Sequence, residues 1–307
     1  MIECVPNFSE GRDACVIDAF ELAIGSVSGS LVLHRTSDPD HNRSVITFVG
    51  EAEPVVESAV RAAARAAELI DLNHHRGVHP RVGALDVLPF VPLGGATIED
   101  CVAVARRAGE RIWKELGIPV YFYEAAATRP DRVKLENVRR GQFEGLRDAG
   151  ISSDSKRPDL GGPGLHPTAG AVIVGARKIL IAFNINLRTS DLEIARSIAK
   201  RIRASSGGLP GIKALGLPIV SRDLVQVSMN ITDFEQTPVH VVYSEVARLA
   251  AAQGIEIETS ELIGLMPRRA MEMAAAALLK LSTFESQQLI ENRIEALRDQ
   301  PPHPYGK

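Results

Sequence analysis

A chain of 307 residues with 45% hydrophobic content is past the size at which one core usually keeps growing, so two domains are expected, and 5% aromatic content makes their cores aliphatic. Lys plus Arg number 35 against 38 Asp plus Glu, a net charge of -3, which removes any global electrostatic reason to bind nucleic acid or an anionic membrane. Cys4, Cys15 and Cys101 form no close pair and read as reduced thiols of a cytoplasmic protein. MIECVPNFSEGRD lacks the features of a signal peptide, and no run approaches a membrane span.

In chain order, Ile2 to Val5 reads as a short strand and Asn7 to Gly11 as a turn. A helix follows from about Asp13 to Ile24, with Val16, Ile17, Phe20 and Ala23 on one face. Leu31 to His34 is a strand and Ser44 to Val49 another, separated by the polar loop Thr36 to Arg43. That loop collects Asp38, Asp40, His41, Asn42 and Arg43, as either a solvated turn or a ligand-facing one. Pro54 fits the first position of a helix running to about Ile70, with Val56, Ala59, Val60, Ala63 and Ala67 inward.

His74, His75 and His79 then occupy a loop punctuated by Gly77, Pro80 and Gly83, ahead of an apolar strand from Ala84 to Val91. His75 and His79 have the spacing of a helical metal pair, but Gly77 and Pro80 oppose a helix there and the glutamate of a zincin motif is absent, so no metal is expected. A loop histidine is a surface group or a catalyst, and this stretch alone leaves both open.

Thr97 to Asp100 reads as a capping box for a helix that Gly117 closes, and Pro119 to Tyr123 as a strand. Ala125 to Pro158 is charged and weakly periodic, suited to loops and short surface helices rather than core. Arg157 to Gly170 concentrates glycine and proline before the strand AVIVG. It permits close backbone approach to a flat ligand, or serves as an interdomain turn.

From Lys178 the alternation resumes, with Ile179 to Leu187 a strand and Ser190 to Glu193 a capping box for a helix to about Ala204. Strands follow at Ile212 to Leu217 and Leu224 to Ile231. A helix then comes after Pro238, a strand near Ile255 to Glu261, and helices from Pro267 onward. The expected fold is α/β (α+β): two sandwich-like subdomains, 1–178 and 179–307, each a mixed β-sheet with helices packed on it. No residue-level repeat is visible.

ECVPNFSEGR at Glu3 to Arg12, HHRGVHPRVGALDVLPFVPL at His74 to Leu93, and GARKILIAFNINL at Gly175 to Leu187 together resemble the formiminotransferase family along nearly the whole chain. The resemblance implies transfer of a formimidoyl group between N-formimidoyl-glutamate and tetrahydrofolate as co-substrate, in histidine degradation and one-carbon metabolism. It implies a homodimer and a folate in a groove between the subdomains, with no metal. The chain ends too early for the cyclodeaminase domain fused in animal members. By motif position the family's catalytic histidine falls on His79. Its folate-binding stretch falls on Gly161, Gly162, Pro163, Gly164, Leu165, His166, Pro167, Thr168, Ala169 and Gly170. Val78 stands where animal members carry an acidic residue, and Leu165 and Ala169 where they carry aromatics.

The implied reaction removes one proton from the attacking amine and delivers one to the departing amine. An imidazole with an ordinary pKa of about 6.5 suits this, and such help is typically worth roughly two to four powers of ten. Arg43 and Arg81 are candidate clamps for the carboxylates of folate and glutamate. Transfer of a formyl group from 5-formyltetrahydrofolate to glutamate, and folate binding without catalysis, are the alternative readings.

Overall fold

The computed structural model describes residues 1–77, 79–148 and 156–298, so Val78, residues 149–155 near the end of the charged segment after Ala125, and residues 299–307 lie outside the described residues. The chain divides into two compact units, Met1–Lys178 and Ile179–Lys307.

The first unit opens with β1 (Ile2–Cys4) and β2 (Asn7–Phe8), one strand line interrupted at Pro6, which has no N–H to donate. It continues through α1 (Ala14–Gly25), β3 (Ser30–Asp38), β4 (Arg43–Gly50), α2 (Ala52–Leu69) and β5 (Leu85–Pro92). β1 and β2 both pair antiparallel with β4 on one side and β5 on the other, and β3 pairs β4 at the edge. A strand–helix–strand–strand–helix–strand module results, with spatial order β3, β4, β1/β2, β5. α3 (Ile98–Leu116), β6 (Val120–Glu124), α4 (Leu135–Val138), α5 (Gln142–Asp148) and β7 (Val172–Ala176) extend it. β7 lies between β5 and β6, parallel to both.

The apolar stripes of α1, α2 and α3 cover one face of this sheet, and Phe8, Phe20, Phe48, Leu88 and Phe90 fill the space between at essentially zero exposure. Full burial of such a side chain is worth about 1.5–3 kcal/mol. Thr97 caps α3 in the expected box with Asp100, and Gly117 ends it in the left-handed conformation.

Several expectations need revision. β3 runs to Asp38 rather than stopping at His34, because Arg35 to Asp38 pair with Arg43 to Ile46 as an edge strand that exposes one face and so tolerates polar residues. The polar loop shrinks to Pro39–Asn42, and Asn7–Phe8 is strand rather than turn. Pro54 is the third residue of α2, still within the turn whose N–H groups have no helical partner. The segment after Ala125 was expected to avoid the core, yet Phe143 enters the main core, while Val138 and Leu146 pack on Tyr121, Tyr123 and Ile173 in a smaller core. Its helices are only one or two turns long, too short to show a period.

The second unit comprises β8 (Ile181–Leu187), α6 (Leu192–Ile202), β9 (Ile212–Ile219), β10 (Leu224–Ile231), α7 (Val239–Ala251), β11 (Ile257–Ile263), α8 (Arg268–Leu278) and α9 (Ile290–Arg298). Its sheet has the order β11, β8, β10, β9 and is antiparallel throughout, where a mixed sheet was expected. Ile181, Ile185, Val225, Val227 and Ile231 face α6 and α7, whose Ile198, Ile202, Val242 and Val246 complete the core. Asp191, not Ser190, caps α6, accepting from the Glu193 N–H at 2.9 Å. Among the described residues no helix is long and apolar enough to cross a membrane.

Candidate active site

The histidine loop leaves α2 at Ile70 and re-enters the sheet at Leu85, fastened by backbone bonds along its length. The Leu72 N–H donates to the Thr168 carbonyl (2.9 Å), the Ala84 N–H to the Ala169 carbonyl (2.9 Å), and the Phe143 N–H to the Arg81 carbonyl (2.9 Å). Ser9 Oγ donates to the Gly83 carbonyl at 2.7 Å and Asn73 Nδ2 to the Pro167 carbonyl at 3.0 Å. The N-terminal motif, the histidine loop and the end of the glycine-rich stretch are thereby held together.

The three histidines differ in their surroundings. His74 is exposed beside Asp71, 3.7 Å away. His75 is buried with both ring nitrogens engaged: Nε2 lies 3.1 Å from the Asn42 carbonyl, to which it can only donate, and Nδ1 accepts from Arg81 Nε at 2.9 Å. Burial pushes its pKa down. His79 is half-buried, and its Nδ1 lies 2.7 Å from the Pro80 carbonyl. A carbonyl only accepts, so the proton sits on Nδ1 and the Nε2 lone pair is left unprotonated. Burial first, then the guanidinium groups of Arg43 and Arg139, push the His79 pKa from 6.5 to about 3.

Those guanidinium groups converge on Asp86, which has no exposed surface. Its Oδ2 accepts from Arg43 Nη1 at 2.8 Å and Arg139 Nη2 at 2.6 Å, and its Oδ1 from the Val82 N–H at 2.7 Å. Burial pushes its pKa up, but the two cations and the N–H groups outweigh this and hold it at about 2. Two cations against one carboxylate leave an excess positive charge beside His79. Arg43 Nη2 also donates to Asn7 Oδ1 at 2.8 Å. Arg81 grips Glu144 through a two-pronged contact at 3.0 and 2.6 Å. Both arginines proposed as ligand clamps are thus occupied within the protein.

Asn42 joins three segments from a left-handed conformation (φ 49°). Its Oδ1 accepts from the Gly11 N–H at 3.0 Å, its Nδ2 donates to the Arg76 carbonyl at 3.0 Å, and its carbonyl meets His75. A Cβ on Gly77 would lie 2.4 Å from the His41 carbonyl oxygen, so the two loops touch through backbone. His41 and His79 face each other edge-on with ring centroids 6.1 Å apart.

The glycine-rich stretch is split between two places. Gly161 lies against Trp113 and Pro119, at the end of α3. At the other end His166 and Gly170 exchange backbone bonds, and His166 Nδ1 accepts from the Ala169 N–H at 3.0 Å, forming the knuckle that abuts the histidine loop. Ala169 is buried and Leu165 packs against the core, so neither lies open for stacking.

Residues 1–177 match the model of the formiminotransferase domain, N-terminal subdomain, and residues 182–299 that of the formiminotransferase domain. The chain belongs to the formiminotransferase family. Among its relatives, a glutamate formimidoyltransferase of Thermoplasma acidophilum is 45% identical over 96% of this chain and 97% of its own. A glutamate formimidoyltransferase of Streptococcus pyogenes serotype M1 is 42% identical over 96% and 98%. The formimidoyltransferase-cyclodeaminase of Mus musculus is 43% identical over 90% of this chain and 52% of the mouse protein.

Within this formiminotransferase chain, sequence reasoning passed over Asn7, Asp86, Arg139 and Glu144 as site residues, and placed Asn42 only in a polar loop. Asp86 had a visible signal, a lone carboxylate inside the apolar run LDVLPFV, which folding tolerates only with cations beside it. Arg139 had none, since it comes from a segment without periodicity and reaches the site only through the tertiary fold.

Proposed function

We propose that the chain is a glutamate formimidoyltransferase that moves the formimidoyl group between N-formimidoyl-glutamate and tetrahydrofolate, with His79 as its proton-transfer group. The observation that carries the role of His79 is geometric: Nδ1 is tied to the Pro80 carbonyl, which leaves the Nε2 lone pair unprotonated in a loop fastened to the N-terminal motif and to the glycine-rich stretch. Nε2 is open to a proton, but burial and the Arg43 and Arg139 charges that hold the ring at a pKa of about 3 make it a weaker base than the ordinary imidazole the sequence suggests, and carboxylates of the bound substrates would offset those charges. The names of the two relatives matched over nearly their full length support the reaction and the substrates.

As N5 of the folate attacks the amidine carbon, His79 Nε2 takes the N5 proton. The excess positive charge of Arg43 and Arg139 over Asp86 suits the carboxylates of the substrates. The knuckle His166 to Gly170 offers backbone against the histidine loop, and we assign folate contact to it on that ground, while for Gly161 to Leu165 family membership alone supports the assignment. With Leu165 and Ala169 turned into the protein, pterin recognition falls to hydrogen bonds and shape rather than aromatic stacking. We assign the chain to the cytoplasm, as a homodimer, in histidine degradation.

Purified protein should consume N-formimidoyl-glutamate only when tetrahydrofolate is supplied, and His79→Ala should lower turnover by roughly two to four powers of ten. A wild type inactive with that donor but active with 5-formyltetrahydrofolate and glutamate would replace formimidoyl transfer by formyl transfer. A mutant with near-full turnover would remove His79 from the chemistry.

A further inference from the structure

Formimidoyl transfer needs two proton movements, which one histidine can perform in turn or two imidazoles can divide between them. The second imidazole at the site is His41, on the turn between β3 and β4, whose ring centroid is 6.1 Å from that of His79. Three features build it into the site. Asp38 Oδ1 accepts the backbone N–H groups of Asp40 and His41, both at 2.9 Å, and its Oδ2 sits 2.7 Å from His41 Nδ1. Burial raises the Asp38 pKa, but the bonds from His41 and Asp40 outweigh it and bring the carboxyl below its ordinary value, so it accepts from His41 as a carboxylate. Asn42, the next residue, is buried and ties the turn to Gly11, Arg76 and His75, while the His41 carbonyl lies against Gly77. The position of His41 relative to the histidine loop is therefore set by the fold.

We infer that His41, oriented by Asp38, is the proton donor to the departing glutamate nitrogen, and that His79 and His41 divide base and acid work between them. The inference rests on the transfer reaction proposed above. Asp38 holds the Nδ1–H tautomer and balances the imidazolium when Nε2 carries a proton, the service a carboxylate performs for a catalytic histidine elsewhere. The bond between N5 and the amidine carbon forms as the C=N π pair moves onto its nitrogen and the N5 proton passes to His79 Nε2, giving a tetrahedral intermediate. That pair then re-forms C=N as the bond between the carbon and the glutamate nitrogen breaks, its electron pair staying on the glutamate nitrogen, which takes the proton of His41 Nε2. One proton is gained and one lost, and exchange with solvent resets the two rings. The charged or titratable groups around His41 are Asp38 and Asp40 on its own turn, the neutral His79 across the gap, and Arg12, whose Nε donates to the Pro39 carbonyl at 2.8 Å.

Two imidazoles with opposite duties respond to added imidazole in opposite ways. In His41→Gly, added imidazole should restore part of the lost turnover in proportion to its protonated fraction. In His79→Gly, restoration should follow the neutral fraction. His41→Gln should lower kcat by about two powers of ten with KM for both substrates within about threefold, and Asp38→Asn should lower kcat by about tenfold, with unchanged melting temperatures. Wild-type kcat in His41→Gln overturns the inference, as does a His41→Gly enzyme that imidazole leaves unrestored or restores with its neutral form. A wild type without formimidoyl transfer removes the underlying reaction, a failure seen before any variant is made.

Discussion

One strand–helix–strand–strand–helix–strand module occurs twice in this chain. In the first copy the strands lie in the order β3, β4, β1/β2, β5, and in the second β9, β10, β8, β11, the same spatial sequence with every pairing antiparallel. The copies differ where the last helix meets the last strand. The first inserts the whole histidine loop, Ile70 to Ala84, while the second makes do with Ala252 to Glu256. They differ also in what they bury within the module: His75, Arg81 and Asp86 in the first, and the neutral Asn184, Asn186 and Thr237 in the second, among the described residues, whereas the buried Glu272 lies on α8, outside the second module. A common scaffold thus surrounds buried charge in one copy and buried neutral groups in the other, and the copy with buried charge is the one in which we propose the chemistry.

Apart from loss of turnover in His79→Ala, the largest expected effect is on that charge. Asp86→Asn keeps the shape but leaves Arg43 and Arg139 facing each other without a carboxylate, a change worth about 3–5 kcal/mol of stability by urea unfolding. The matching lesion in the second module, Asn186→Ala, removes the bonds of Asn186 to Gln226, Thr259 and Glu261 and should cost about 1–3 kcal/mol. Equal losses at the two sites would erase the distinction between the modules.

Acid should separate them next. The folded pKa of His79 is about 3 against an ordinary 6.5, so the unfolded chain takes that proton first, and the stability present above pH 6.5 declines as the pH falls toward 3. Asp86, at about 2 against 3.8, adds stability that is present above pH 3.8 and lost as the pH falls through 2. Hydrogen exchange along an acid titration should show amides of the first sheet losing protection before those of the second, and the difference should shrink in His79→Gln. Simultaneous loss in wild type would count against the depressed histidine.

The smallest effects should not separate the modules. Thr97→Ala in the first unit and Asp191→Ala in the second each remove one side-chain helix cap, and each should lower stability by about 1 kcal/mol. A large difference between the two would show that caps report on their surroundings here.

Legibility followed local physics. The stripes on α2 and α6, the Thr97 box, the strand Leu224–Ile231 and the alternation of elements could be read because each depends on residues within a few positions of one another. The extension of β3 could not, since Arg35 to Asp38 become strand only by pairing with β4. His79 stood out by motif, and Arg43 and Arg81 were visible as charges. That both arginines face inward, to Asp86 and to Glu144, depends on partners 43 and 63 positions away.

The sequence by itself determined two aliphatic cores, the periods that place helices and strands, a loop of histidines that glycine and proline keep from becoming helix, and membership in a family with a known reaction. Only the tertiary structure decided which histidine is buried and tied at both nitrogens, which is held neutral with a free Nε2, and which is steered by a carboxylate. The physical reason is that protonation depends on burial and on charges nearby in space, and Arg139, Asp86 and His41 reach His79 through folding rather than through order along the chain.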